Sequence, residues 1–211
     1  ALSMSGPTWL FWSIGVPMAG VNAQIDSAPS PALVNTPGAA AGDLYVGRWS
    51  AGELAVENGG TVSSAFGDIG NQPGVSGTVI VSDLGSSWVN SQSIYVGTSG
   101  TGTLTIANGG TVTNAFNGFI GRFLGGTGTA TVSGTGSTWT NSFKLFVGNG
   151  GTGNLTVEDS GTVSNADADI GSQSGSNGTV TVTGAGSAWT NSNSLVVGNS
   201  GTGELSIADG G

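Results

Sequence analysis

The feature that most limits this chain is a phrase that returns. "LYVGRWSAGELAVENGGTV" at 44–62 comes back as "IYVGTSGTGTLTIANGGTV" at 94–112 and as "LFVGNGGTGNLTVEDSGTV" at 145–163. A fourth copy, "LVVGNSGTGELSIADGG", runs from 195 to 211. The unit is 50 to 51 residues long, and it divides in two. A β-branched residue followed by Gly stands at Gly47, Gly70, Gly97, Gly121, Gly148, Gly171 and Gly198, at intervals of 23, 27, 24, 27, 23 and 27 residues. The structural step is therefore about 25 residues, in alternating short and long forms, and a fixed step of this length marks a stacked repeat architecture.

Between the glycines lie short runs that alternate. In "GTVTVTG", Val180 and Val182 face one way and Thr179, Thr181 and Thr183 the other; in "NLTVEDSGTV", Leu155, Val157 and Val163 share a face. Period-two alternation bounded by Gly, Asn, Asp and Ser is a strand-and-turn pattern, and no stretch has a helical period. A lone 25-residue coil buries too few apolar side chains to offset the entropy of ordering its backbone. Coils stacked so that each strand pairs with its equivalents above and below bury a continuous interior. The expected fold is all-β: a parallel β-solenoid with about 25 residues per coil and two coils per 50-residue repeat. Three such repeats and a truncated fourth span 44–211.

The tryptophans fit this frame. "GSSWVNS", "GSTWTNS" and "GSAWTNS" place Trp88, Trp139 and Trp189 in the long coil only. They recur every second coil, roughly 10 Å apart given about 4.8 Å per strand. That is too far for ring stacking, so each is expected to fill the extra volume of its longer coil. Asn90, Asn141 and Asn191 follow, and are expected at turns that need left-handed backbone geometry.

Composition narrows the chemistry. Gly is 41 of 211 residues, nearly three times the usual share, and charged residues are 7% against about 25%. The 36% hydrophobic content, rich in Val, Leu and Ile, distinguishes the chain from disordered low-complexity sequence. With no Cys and no His, the chain holds no disulfide, no thiolate or imidazole metal site and no Ser-His-Asp triad. Net charge is −9, with Arg48, Arg122 and Lys144 the only basic side chains. Nucleic-acid binding needs many neutralised phosphates and is excluded on that count, and direct contact with anionic membrane is disfavoured. No cofactor is expected.

The first residues differ from the rest. "WLFWSIGV" at 9–16 is apolar and is followed by Pro17 and then by Val21 and Ala23, at the spacing of a signal-peptidase site. Residues 1–23 read as the remnant of a secretory signal cut after Ala23, too short for a membrane span; the alternative is an apolar cap on the core. Residues 24–43 hold Pro29, Pro31 and Pro37 in an Ala-rich context and read as a linker or an N-terminal cap.

"GTGTLTIANGGTVTN", "GTGELSIADGG" and "GSTWTNS" resemble a repeat of bacterial exported proteins, found in autotransporter (type V secretion) passenger domains and in PEP-CTERM exported proteins. The likeness covers about 43–211, some four-fifths of the chain. It implies a right-handed parallel β-helix displayed at the bacterial cell surface, secreted and continued C-terminally by an outer-membrane β-barrel or a sorting tail. The implied work is that of a stiff structural or adhesive passenger, with self-association or a host or cell-surface glycan or protein as partner. A polysaccharide-active β-helix enzyme and a biofilm-matrix protein are the alternatives.

An enzyme of that kind needs acids grouped with Arg or Lys on one outer face. Most acids here sit at turns: Glu57, Glu158 and Asp159 flank the "GG" turn where Asn58 and Asn108 also occur. Asp167 and Asp169 could pair or hold calcium, but their equivalents in other coils include Phe66, Asp68 and Phe119, so no ligand column forms. No catalytic residue and no metal site is assigned. Outward threonines resemble ice-binding solenoids, although the alternation of 23 and 27 argues against a flat face. The candidate contact surface is aromatic. The outward residue before each β-branched–Gly pair is Tyr45, Asp68, Tyr95, Phe119, Phe146, Asp169 and Val196 in turn. Tyr95, Phe119 and Phe146 occupy three consecutive coils, with Phe123 and Phe143 near them around the one-residue insertion. An exposed apolar patch of this kind marks an interaction surface; the alternative is that a loop covers these rings as a satellite core.

Overall fold

The computed structural model describes residues 20–26 and 31–211; most of the apolar leader read over 1–23 lies outside them. All the regular structure described is strand, with no helix long and apolar enough to cross a membrane. The strands form three sheets of eight, eight and seven, and each sheet takes every third strand of the chain in order. Every pairing within them is parallel. This is a β-solenoid.

Its first sheet is the predicted column. Val46, Ile69, Val96, Ile120, Val147 and Ile170 are consecutive register partners and all are fully buried. Alternation puts Leu44, Ile94 and Leu145 inward beside them and Tyr45, Tyr95, Phe119 and Phe146 outward. In the second sheet, Thr101–Ala107 and Thr127–Ser133 pair through seven residues, with Leu104, Ile106, Ala130 and Val132 inward. Val62, Trp88, Val112, Trp139 and Val163 line the third. The described residues at and beyond 23, where both a linker and a cap are expected over 24–43, carry Ala23–Ile25, Ala32–Val34 and Ala39–Ala40, each paired in parallel with the next coil. They make a first, shorter coil.

The uneven step is not shared by the three sheets. Gly52, Gly77, Gly102, Gly128, Gly153, Gly178 and Gly203 are register partners in the second sheet, 25 or 26 residues apart throughout. The extra residues of the long coils lie in corner loops. The second sheet is consequently evenly spaced, and the argument from alternation against a regular face does not apply to it. Its outward columns are nevertheless mixed: Glu53, Ile80, Asn154 and Glu204 interrupt the threonines.

Two expectations about the Trp phrase need correction. The tryptophans do stand in the long coils, but loop length does not make their room. Each Trp coil opens on a small inward residue: Gly67 with Trp88, Gly118 with Trp139, Ala168 with Trp189. Coils with Val in the Trp position open on Leu44, Ile94 and Leu145. A Cβ on Gly67 would lie 2.5 Å from Trp88 Cζ2, so the missing side chain is what admits the indole.

The asparagines are not at left-handed turns. Among the described non-glycine residues those positions belong to Asn58, Asp83, Asn108, Asp159, Ser160 and Asp209, with φ between 50° and 75°. Asn90, Asn114 and Asn141 are buried inward on strands, two residues after the buried Trp or Val, and hydrogen-bond up the stack. Ser64 Oγ donates to Asn90 Oδ1 (2.7 Å), Asn90 Nδ2 to Asn114 Oδ1 (2.9 Å) and Asn114 Nδ2 to Asn141 Oδ1 (2.7 Å). Trp88 Nε1 joins the ladder by donating to Ser64 Oγ (3.0 Å). A new segment starts at Asn165, which donates to Asn191 and accepts from Trp189 Nε1. Asn141 Nδ2, at the break, has no partner. Such a ladder places polar groups in an apolar interior at little cost, because one coil's donor meets the next coil's acceptor.

Candidate functional site

The outward column of the first sheet is where side chains of functional chemistry gather. Rung spacing of about 4.8 Å brings ring faces into stacking range whenever consecutive coils carry aromatics. Tyr95 and Phe119 stack with centroids 5.3 Å apart and 28° between planes, and Phe119 and Phe146 at 4.8 Å and 5°. These three of the predicted residues form one half-buried ladder. Phe123 is joined to it by Arg122, whose guanidinium carbon lies 4.0 Å from the Tyr95 ring centre and 4.5 Å from that of Phe123. Phe143 is not part of this ladder. It stacks with Phe116 (5.3 Å, 11°) at the adjacent corner, where Phe143 N donates to Phe116 O. Sequence reading passed over Phe116, although it adjoins the one-residue insertion. Phe116, Phe123 and Phe143 are 42%, 49% and 54% exposed, so no loop covers them as a satellite core.

Below Tyr95 the column changes. Asp68 occupies the next rung and is followed by Tyr45. The shorter side chain leaves an open groove of about 330 Å³ lined by Asp43, Tyr45, Arg48, Phe66, Asp68, Asn71, Tyr95 and Arg122. Sequence reading found no compact group of acids and bases on an outer face, but the structure assembles one here. Arg48 and Arg122 are 74 residues apart in sequence, yet each follows a β-branched–Gly pair, at Gly47 and Gly121. They therefore leave the same edge of the same sheet. The column spacing could have located them, had it been followed past the glycine.

Each arginine lies over aromatic rings, Arg48 at 4.3 Å from the Tyr45 centre and 5.3 Å from that of Trp49. Among the described residues the one ion pair is Lys144 Nζ–Asp169 Oδ1 (2.8 Å), so the two arginines have no carboxylate within ion-pair distance. Asp167 Oδ1 accepts from Ser194 N (3.1 Å), so Asp167 and Asp169 are engaged separately. No group of three or more potential metal ligands occurs among the described residues.

At the groove floor, Asp68 is 7% exposed. Its Oδ1 accepts from Thr98 Oγ1 (2.7 Å) and its Oδ2 from Asn71 Nδ2 (2.5 Å). Burial holds its carboxyl above the ordinary aspartate value, against these two hydrogen bonds and the charges of Arg122 and Arg48, which pull it down. A folded-state pKa above the unfolded one means that the native state binds the extra proton. This group therefore destabilises at pH above its folded pKa, and the penalty fades as pH falls through that value toward the unfolded one. Urea midpoints measured down from pH 7 are expected to show wild type gaining on Asp68→Asn as the solution is acidified. A wild type that keeps the same interval from the variant, or loses ground to it on acidification, would contradict this.

No family model, curated protein or solved structure matches the chain significantly. The class of protein is set by the fold alone, a parallel β-solenoid built from 50-residue double coils with an aromatic and arginine-bearing outer column.

Proposed function

We propose that this chain is an exported, surface-displayed structural segment, a stiff β-helical spacer that self-associates or adheres through its aromatic column. The observation that carries this is the join of two features: coils in unbroken parallel register, and a half-exposed aromatic ladder running along them. A stack in which each strand is hydrogen-bonded on both sides resists bending along its axis, and solenoids of this kind present extended binding surfaces. A row of half-buried rings flanked by the exposed Phe116, Phe123 and Phe143 is more apolar than solubility requires. The resemblance of the repeats to autotransporter and PEP-CTERM proteins supports export to the bacterial surface, with an outer-membrane β-barrel or a sorting tail as anchor. A polysaccharide-active enzyme is less well supported, because both oxygens of Asp68 are already engaged and little of the residue reaches solvent.

Sedimentation of the wild-type chain over a concentration series tests the self-association. Concentration-dependent association is expected, and it should be lost in Phe119→Ser/Phe146→Ser and weakened in Phe116→Ser/Phe143→Ser, with far-UV circular dichroism unchanged. A wild type that stays monomeric at every concentration, or variants that associate as strongly, would end the self-association reading.

A further inference from the structure

We infer that the groove between Tyr45 and Tyr95 is a binding site for a carboxylated saccharide, a hexuronate-type sugar whose carboxylate meets Arg48 and Arg122. The argument begins with charge. The chain has twelve acids and three bases, so each base has carboxylates to choose from. Lys144 takes one, Asp169. The guanidinium groups of Arg48 and Arg122 take none, and both residues line the same groove; Arg48 Nε is buried and has no hydrogen-bond partner. A guanidinium partly removed from water without an acceptor carries a desolvation cost that an incoming anion would offset. Ring faces beneath both arginines hold their planar forks in place before any ligand arrives, which lowers the ordering cost of binding.

The remaining lining decides which anion. Asp43 and Asp68 also face the groove. Their negative charge disfavours a compact dianion such as phosphate, and Asp43, the less buried of the two, can accept a hydrogen bond from a neutral hydroxyl. Asn71 adds an amide, and Tyr45, Phe66 and Tyr95 supply apolar walls for the C–H faces of a sugar ring. One carboxylate, several hydroxyls and an apolar face describe a uronic acid. The groove is open and about 330 Å³, at the low end for small-molecule sites of roughly 300–1,000 Å³, and this suits one or two sugar units of a longer chain passing along the outside of the solenoid. This inference rests on the adhesive reading only for where such a chain would be met. Self-association through the aromatic stacks is read by sedimentation and stands or falls separately.

The test is titration of the whole chain, followed by ¹H–¹⁵N chemical-shift changes, with three probes: a glucuronic-acid-containing disaccharide, the same disaccharide with its carboxyl reduced to the alcohol, and inorganic phosphate. Saturable binding of the glucuronide is expected, with shifts centred on Asn71 and the backbone of Arg48 and Arg122, and with affinity falling as NaCl is raised. The neutral disaccharide and phosphate should each bind at least tenfold more weakly. Arg48→Gln and Arg122→Gln should each lose at least tenfold, whereas Lys144→Gln, whose charge is already paired outside the groove, should bind as wild type does. No saturable glucuronide binding, or equal affinity for the reduced sugar, would overturn the inference without any variant being needed. Phosphate binding as tightly as the glucuronide would reduce the groove to a general anion site and overturn the saccharide assignment.

Discussion

Gly128→Ala is expected to cost more than about 3 kcal/mol, beyond the 1–3 kcal/mol usual for overpacking, and to broaden or divide the unfolding of the chain relative to wild type. Gly128 opens the inward face of the second sheet, at the corner where the chain arrives from the first. A Cβ there would lie 2.2 Å from Val96 O, 2.6 Å from Gly121 N and 2.7 Å from Ile120 Cγ2. Two of those atoms are backbone and cannot rotate away. The carbonyl belongs to the coil below, so relief means prising two coils apart at the corner where Gly121 N donates to that same Val96 O (2.9 Å). In a stack held by nearest-neighbour interfaces, damage at one interior coil leaves two shorter stacks, each with a newly exposed end. Urea unfolding followed by circular dichroism should therefore show a lower midpoint and a broadened or divided transition. Gly125→Ala is the comparison. Its φ is +84° but nothing lies within 4 Å of the added carbon, so only the left-handed penalty of about 1–2 kcal/mol applies. Equal losses at the two positions would show that backbone conformation, and not the close approach of coils, makes glycine necessary at 128.

That corner also shows where the sequence was legible and where it was not. The β-branched–Gly column was plain because it recurs seven times, and it located the first sheet to the residue. The second glycine column, from Gly52 to Gly203, shows in the sequence only as "GTG" strings at Gly102, Gly128, Gly153 and Gly203, since a close approach between coils leaves no mark except the absence of a side chain. The inward valines were found by parity. The same parity puts Asn90 on the face of Trp88, against asparagine's local preference for turns. A polar residue becomes inward when its equivalents above and below can satisfy it, and that condition belongs to the stack and not to the local sequence. Of the contact surface, the Tyr95–Phe119–Phe146 ladder followed directly from the column. Phe116 did not, because corner loops of 23- and 27-residue coils do not align by counting from one glycine to the next; the arginines lie one step past column glycines and were within reach of the same count. The pairing of Arg48 with Arg122 required knowing that their corners lie at the same edge.

Replacing Trp88 tests whether the alternation of Trp and Val along the third sheet reflects volume exchanged with the first sheet within each coil. Trp88→Ala is expected to cost about 3–5 kcal/mol, the usual range for a fully buried indole; the side chain is 0% exposed and its Nε1 donates to Ser64 Oγ. Gly67→Leu alone should also be severe, because the first added carbon would sit 2.5 Å from Trp88 Cζ2 and 2.7 Å from Cη2, on a rigid ring with no route of escape. Together, Gly67→Leu and Trp88→Val rebuild in this coil the arrangement its neighbours already use, Leu44 with Val62 and Ile94 with Val112, all buried. The double variant should therefore be more stable than the sum of the two single losses predicts, by about 2 kcal/mol or more, near the upper part of the 0.5–3 kcal/mol seen for residues in contact. The recovery will be incomplete. Leucine at 67 would lie between Leu44 and Ile94 in the same column, where the native sequence sets large against small on successive rungs, and the indole's bond to the asparagine ladder would still be gone. Urea midpoints at constant m-value give the coupling directly. Strict additivity of the two substitutions would mean that Trp88 and Gly67 fill separate spaces, and that the missing side chain at 67 is not what admits the indole.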